Sequence, residues 1–365
     1  MDIGLLIYGS LNTLSGGYLY DRKLVEHLAC QGDQVKIVSL PWRNYARCLT
    51  DNLDRELLRR LQSLKVDILL QDELNHPSLF WLNRRLKRSN FFPLVSIVHH
   101  LRSNERRPAW QNALYRQVER LYLSGVDGYV FNSQTTRQAV AQAGVNLSNR
   151  AFTVAYPAGD RFSPNIGADE ILRRAQKTGP LRLIFVGNVI PRKGLHILLQ
   201  ALEALPTRLC QLTVVGRLDV DKAYSNAIRR RIERGGLGDS VHLSGSLSEE
   251  RLTDSLRSSQ LLVVPSFYEG FGIVYLEGMS FGLPAIASSA GAAHEIITHG
   301  QNGYLVPPGD ARALAEILAT LAHDRQILAV ASLAARKRYL AHPTWEQTAG
   351  RIRSFLATFA GTHRT

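Results

Sequence analysis

Short continuous apolar runs alternate with longer stretches apolar on one side only, and the series occurs twice along the chain. In the first half the runs 3–8, 35–40, 66–70, 94–98, 128–131 and 153–155 read as strands. Their apolar residues follow one another instead of alternating with polar ones, which predicts strands buried on both faces of a parallel sheet. Between the first two, Leu24, Val25, Leu28 and Ala29 share one helical face, and Gly32 ends the helix. The second half restarts with the runs 181–186, 212–215, 241–243, 261–264, 285–287 and 303–306, with helices over about 195–205 and 311–323. A last helix opens after Pro343. Pro164, Gly167 and Pro180 mark a linker at about 158–180. The chain of 365 residues thus divides into an α/β domain over 1–160, a second over 161–342 and a closing helix over 343–365.

The densest chemistry follows the run 261–264. Pro265 stops the strand, and Glu269-Gly270-Phe271-Gly272 leads into a helix carrying Glu277. A helix starting near Phe271 or Gly272 offers backbone N–H groups and the positive end of a dipole to an anion. The glycines allow close approach, and the two carboxylates suit hydroxyl donors such as a sugar. A plain reading makes Glu269 a helix-start acid and Glu277 a solvated face residue; the flanking strand, proline and glycines favour a site. Arg192 and Lys193 precede Gly194 and a helix. Cations gain nothing from that dipole, so an anion held between them is the natural explanation, against an exposed basic loop.

The first domain has a glycine pair, Gly16-Gly17, before its first helix, but no Gly-x-Gly-x-x-Gly fingerprint. His99 and His100 end the run 94–98, where α/β sheets bind ligands; the alternative is a structural histidine bonded to a loop. No third ligand is spaced to join them in a metal site. The stretch from Phe80 to Phe92 mixes aromatics and leucines with Arg84, Arg85, Lys87 and Arg88, which suits either a surface helix or an interfacial segment on anionic lipid.

Charge and cysteines narrow the classes. The net charge is +13, favouring polyanionic partners: nucleic acid, anionic lipid or phosphorylated substrates. No helix-turn-helix, zinc-finger or RNA-binding signature is present, so nucleic acid is not expected as a partner. Three distant cysteines, Cys30, Cys48 and Cys210, argue against disulfides and fit a reducing compartment. No apolar run approaches the roughly 20 residues of a membrane span, and no basic segment precedes the first apolar run. A cytoplasmic protein, or one peripheral at the inner face of the membrane, is expected.

The spacing Glu269-Gly270-Phe271-Gly272, then four residues to Glu277, resembles the Glu-x7-Glu signature of family 4 retaining glycosyltransferases. Gly282-Leu283-Pro284, Gly291-Ala292-Ala293-His294-Glu295 and Gly300-Gln301-Asn302-Gly303 match its continuation. The resemblance implies the GT-B fold: two Rossmann-like parallel-sheet domains facing across a cleft, with a C-terminal helix crossing back to the first domain. It implies a hexosyl transfer from a nucleotide-diphospho-sugar, of the UDP-glucose or GDP-mannose type, to a lipid-linked or cell-envelope glycan, with no metal or cofactor. It matches Glu277 to the ribose contact, Glu269 and His99 to the sugar side, and Lys193 to the diphosphate. Gly16, Gly17, Arg192 and the backbone from Gly270 through Phe271, Gly272, Ile273 and Val274 complete the donor set. His99, Glu269 and Lys193 are the implied catalytic groups. Two departures stand out: Asn188 where arginine is frequent, and His100 where aspartate is frequent. A catalytically silent nucleotide-sugar-binding scaffold is the alternative.

Overall fold

The computed structural model describes residues 1–13, 15–89 and 92–360. The chain forms two compact units, Met1–Pro157 with Pro343–Thr365, and Ala158–His342. Each is built on one six-stranded, all-parallel sheet.

In the first unit the strands are β1 (Asp2–Tyr8), β2 (Gln34–Leu40), β3 (Ile68–Asp72), β4 (Leu94–Val98), β5 (Gly128–Phe131) and β6 (Ala151–Val154), in the order β2-β1-β3-β4-β5-β6. Every residue of β3, β4 and β5 is buried, as expected for central parallel strands; β2 and β6, at the edges, carry most of the exposed positions. The helix Gly16–Cys30 starts at Ser15, whose Oγ accepts from the Tyr18 N–H at 3.3 Å. The closing helix, Trp345–Ala360, belongs to this unit, as the fold expectation had it. Arg353 Nε donates to Asp33 at 2.7 Å, Thr348 Oγ1 donates to the Tyr156 carbonyl at 2.7 Å, and Trp345 meets the Tyr20 ring edge-on.

The segment 80–92 is divided between core and surface. Leu82, Leu86 and Phe92 are buried, whereas Trp81 is about half exposed at 51% beside exposed Arg84 and Arg88. Asn90 and Phe91 of this segment lie outside the described residues. None of the three cysteines is paired. Among the described residues no helix is long and apolar enough to cross a membrane.

The second unit contains β7 (Leu181–Val186), β8 (Cys210–Val215), β9 (Val241–Gly245), β10 (Leu261–Val264), β11 (Ala285–Ser288) and β12 (Gly303–Val306), ordered β12-β11-β10-β7-β8-β9. This is the doubly wound order, with its reversal between β7 and β10. The stretch read as a linker, 158–180, holds a helix, Ala168–Gln176. Its buried Arg174 donates to the carbonyls of Phe281 and Gly282 at 2.6 and 3.1 Å, satisfying the end of the helix Ile273–Ser280.

Candidate active site

In a doubly wound sheet, ligands bind outside the carboxyl ends of the strands where the order reverses. In the second unit the loops after β7 and β10 meet there. Gly194 adopts φ +73° to open the helix Leu195–Glu203, and a Cβ on it would stand 2.2 Å from the Pro265 carbonyl oxygen. Only glycine lets these two loops touch at that point. The Phe267 N–H then donates to the Arg192 carbonyl at 2.8 Å. Gly272, at φ +96°, opens the helix Ile273–Ser280. Gly272, Ile273 and Val274 are partly exposed, whereas Phe271 and the helix from Tyr275 onward are buried. The first turn, whose N–H groups have no partner within the helix, is therefore the part open to a ligand.

This junction brings Lys193, Arg192 and Glu269 together. Glu269 is 8% exposed; its Oε1 accepts from Lys193 Nζ at 2.5 Å and from Ser266 Oγ at 2.6 Å, with Arg192 Nη1 at 3.8 Å. Arg192 Nη1 also donates to the Tyr268 carbonyl at 3.0 Å. Burial alone would raise the carboxyl; the charges of Lys193 and Arg192 and the hydrogen bonds from Lys193 and Ser266 outweigh it and hold the pKa at about 2. The anion expected between the two cations is, within this chain, Glu269.

Glu277 is equally buried but poorly compensated. The Arg161 guanidinium reaches it only at 3.9 Å, because Arg161 Nε and Nη2 donate to Glu249 Oε2 at 3.1 and 3.0 Å. Burial raises Glu277 to about 7, Arg161 opposing and Glu249 adding to the shift. Gly159 makes this contact: a Cβ there would lie 2.4 Å from Leu276 Cβ, so only glycine brings the loop carrying Arg161 against the helix.

In the first unit the order reverses between β1 and β3, and a second polar group collects beside that point. His99 follows β4, and Gly17 packs on it: a Cβ on Gly17 would lie 3.3 Å from His99 Cδ2. Gly16 is exposed at the start of the same helix. Two buried carboxylates, Asp21 and Asp72, flank His99, with Asp21 Oδ1 3.5 Å from His99 Nε2. Burial would lower the histidine; the close approach and charge of Asp21, with the charges of Asp72 and Glu73, outweigh it and raise it to about 9. Burial and Asp21 raise Asp72 to about 7. His100 instead pairs with Glu105 at 3.0 Å. The donor atoms of Asp21, Asp72 and His99 lie within 4.8 Å of one another, as do those of Glu73, His76 and Glu119; by proximity either set could hold a cation.

Asp21, Asp72 and Arg161 were missed in the sequence. Asp21 carried a signal: it falls three residues before Leu24, on the apolar face of its helix. Asp72 also did, as an acid ending an apolar strand.

The family model described as "Glycosyl transferases group 1" matches residues 169–338, and that described as "Glycosyltransferase Family 4" matches 20–157. The chain is 32% identical to a phosphatidyl-myo-inositol mannosyltransferase of Mycobacterium leprae, covering 99% of this chain and 97% of that one. It is 27% identical to a GDP-mannose-dependent alpha-(1-6)-phosphatidylinositol monomannoside mannosyltransferase of Mycobacterium tuberculosis over 66% of this chain, spanning 64% of that relative's length. Anabaena HepE, solved in complex with UDP-glucose, shares the fold with a TM-score of 0.78 at 20% identity, over 98% of this chain and 100% of that one. With the signature loop, the two doubly wound sheets and a full-length relative above 30% identity, the chain belongs to glycosyltransferase family 4.

Proposed function

We propose that the protein is a retaining glycosyltransferase that moves a hexose from a nucleotide-diphospho-sugar of the UDP-glucose or GDP-mannose type to a lipid-linked or cell-envelope glycan acceptor. The observation that carries this reading is the convergence of Lys193, Arg192, Glu269 and the open first turn of the helix Ile273–Ser280 at the reversal point of the second sheet. A diphosphate takes both cations and the helix N–H groups. Ribose hydroxyls donate to Glu277, supplying the hydrogen bonds its buried carboxylate lacks. Glu269 accepts from sugar hydroxyls, and the acceptor falls to the first unit, with His99.

In the transfer, the bond from the anomeric carbon to the diphosphate breaks, and the acceptor oxygen bonds to the same face of that carbon. The acceptor proton passes to the leaving phosphate, so no protein nucleophile is needed. Negative charge grows on the leaving oxygen, where Lys193, Arg192 and the helix N–H groups stabilise it. The reaction needs no metal on this reading. The names of the mycobacterial relatives support a lipid-linked acceptor. Trp81, with Arg84 and Arg88, offers a basic aromatic surface to an anionic membrane at its cytoplasmic face.

The test is incubation of the full chain with UDP-, GDP- and ADP-sugars and lipid acceptors. Release of nucleoside diphosphate and a product with the donor's anomeric configuration are expected. Donor binding with neither transfer nor hydrolysis would instead identify a silent sugar-nucleotide-binding protein.

A further inference from the structure

Asp21 is wholly buried, yet neither carboxylate oxygen has a well-aligned hydrogen-bond partner. Facing its Oδ1 at 3.5 Å is His99 Nε2, itself buried and otherwise unpartnered. Asp72, 3% exposed, brings a second carboxylate to the same point; one of its oxygens accepts from the Leu74 N–H at 2.9 Å. Two desolvated carboxylates side by side cost several kcal/mol unless a positive charge lies between them. His99 is the group placed to carry it.

The ring is gripped in this position. The Tyr20 ring meets it edge-on with centroids 5.2 Å apart, and Gly17, on the same helix as Tyr20, leaves room for Cδ2. From β5's end, Asn132 Nδ2 donates to the His99 carbonyl at 2.7 Å and Thr136 Oγ1 at 3.4 Å, fixing the backbone. The titratable groups around the imidazole are Tyr18, Tyr20 and Asp21 on the first helix, and Asp72 and Glu73 at the end of β3. Tyr18 is engaged elsewhere, donating to the Tyr8 carbonyl.

The geometry points to Asp21 as a positioning residue for His99: it holds the imidazole doubly protonated, with Nε2–H on Asp21 and Asp72 sharing the charge, and leaves Nδ1–H as the ring's remaining donor. The side chain keeps 15% of its surface exposed while Nε2 is buried, so Nδ1 is the nitrogen a ligand can reach. His99 then meets an electron-rich atom, a hydroxyl or phosphate oxygen, as a cationic donor. It cannot serve as a general base, and the acceptor's proton must go elsewhere, which agrees with its capture by the leaving phosphate. The ligand side of this inference rests on the glycosyltransferase reading; the buried triad does not.

The experiment is long-range 1H–15N NMR of the full chain, with the His99 signal assigned by its loss in His99→Gln. His99 is expected to be doubly protonated through pH 7 to 8. In Asp21→Asn its titration midpoint should fall by about two units, and in Asp72→Asn by less. Circular dichroism melts identify any variant that does not fold, and the two variants are read independently. With a turned-over donor, Asp21→Asn should lower kcat about tenfold, hold the donor KM within about twofold, and lose activity toward pH 8 where the wild type does not. A wild-type His99 that titrates near its ordinary value, unmoved by Asp21→Asn, would overturn the inference. So would stoichiometric zinc binding that Asp21→Asn abolishes, since the cation would then be a metal. If the NMR result holds but no nucleotide sugar is turned over, the triad stands and the proposed function falls. If donor is turned over while His99 behaves ordinarily, only this inference falls.

Discussion

Lys193 Nζ and Glu269 Oε1 stand 2.5 Å apart, so a cation assigned to the donor phosphate and a carboxylate assigned to the donor sugar neutralise one another in the chain alone. Both come from loops locked by Gly194 against Pro265. On the proposed function, an arriving diphosphate would meet a cation already oriented, and Glu269 would be freed for hydroxyl donors as Lys193 turned to the phosphate.

Removing the cation should leave Glu269 buried with only the more distant Arg192 and Ser266. Lys193→Ala is expected to lose about 3 kcal/mol of stability at pH 7. Glu269 has its folded pKa held near 2, below its unfolded value, so its stabilisation exists above the unfolded value and is lost as pH falls towards 2. The difference between wild type and variant should accordingly shrink below about pH 4. Urea unfolding midpoints at pH 7 and pH 4 check this.

Glu277 has the opposite sign. Its folded pKa, about 7, lies above its unfolded value, so the native state favours the protonated carboxyl. That contribution is full below the unfolded pKa and is lost as pH rises through 7. Glu277→Gln should be more stable than wild type at pH 8 by about 2 to 3 kcal/mol, with no advantage near pH 4. The same substitution should weaken donor binding, which makes Glu277 a residue kept for function against stability. Thermal melts across that pH range provide the measurement.

Gly194→Ala is expected to be severely destabilising. A side chain at φ +73° costs about 1 kcal/mol or more, and the Cβ would meet the Pro265 carbonyl oxygen at 2.2 Å. The strain separates the loops that carry Lys193 and Glu269, so donor affinity should drop together with the melting temperature. Gly238→Ala, at a glycine with open space around it, is the control and should change neither.

Much of this architecture could be read from residue order. The runs 94–98, 128–131, 181–186, 261–264 and 303–306 are strands with those same limits, because a buried parallel strand is a continuous apolar run bounded by turn residues. The helix Ala168–Gln176 was not legible. It is short, lies between Pro164 and Pro180, and buries an arginine along with Ile171 and Ala175, so its apolar stripe is interrupted. The division within 80–92 was not legible either: Leu82, Leu86 and Phe92 turn inward while Trp81, Arg84 and Arg88 stay exposed, which only the packing of the short helices decides.

The site was legible where one loop contains it. Glu269, Gly272 and Glu277 fall within nine residues, and Lys193 stands beside its glycine. Asp21 and Asp72 escaped because their partner, His99, is 78 and 27 residues away, and the sheet order alone brings the three together. Arg161 escaped likewise, being carried to Glu277 by the contact of Gly159 with Leu276.

The central claim is that the second unit's reversal point holds a nucleotide-diphospho-sugar through Glu277. Saturation-transfer NMR of wild type and Glu277→Ala against UDP-, GDP- and ADP-sugars tests it most directly. The account predicts that one nucleotide series binds the wild type and that the variant, still folded, binds it at least about tenfold more weakly, as expected for losing a hydrogen-bonded charged group. A folded wild type that binds none of the panel, or a variant that binds as tightly as the wild type, would contradict it.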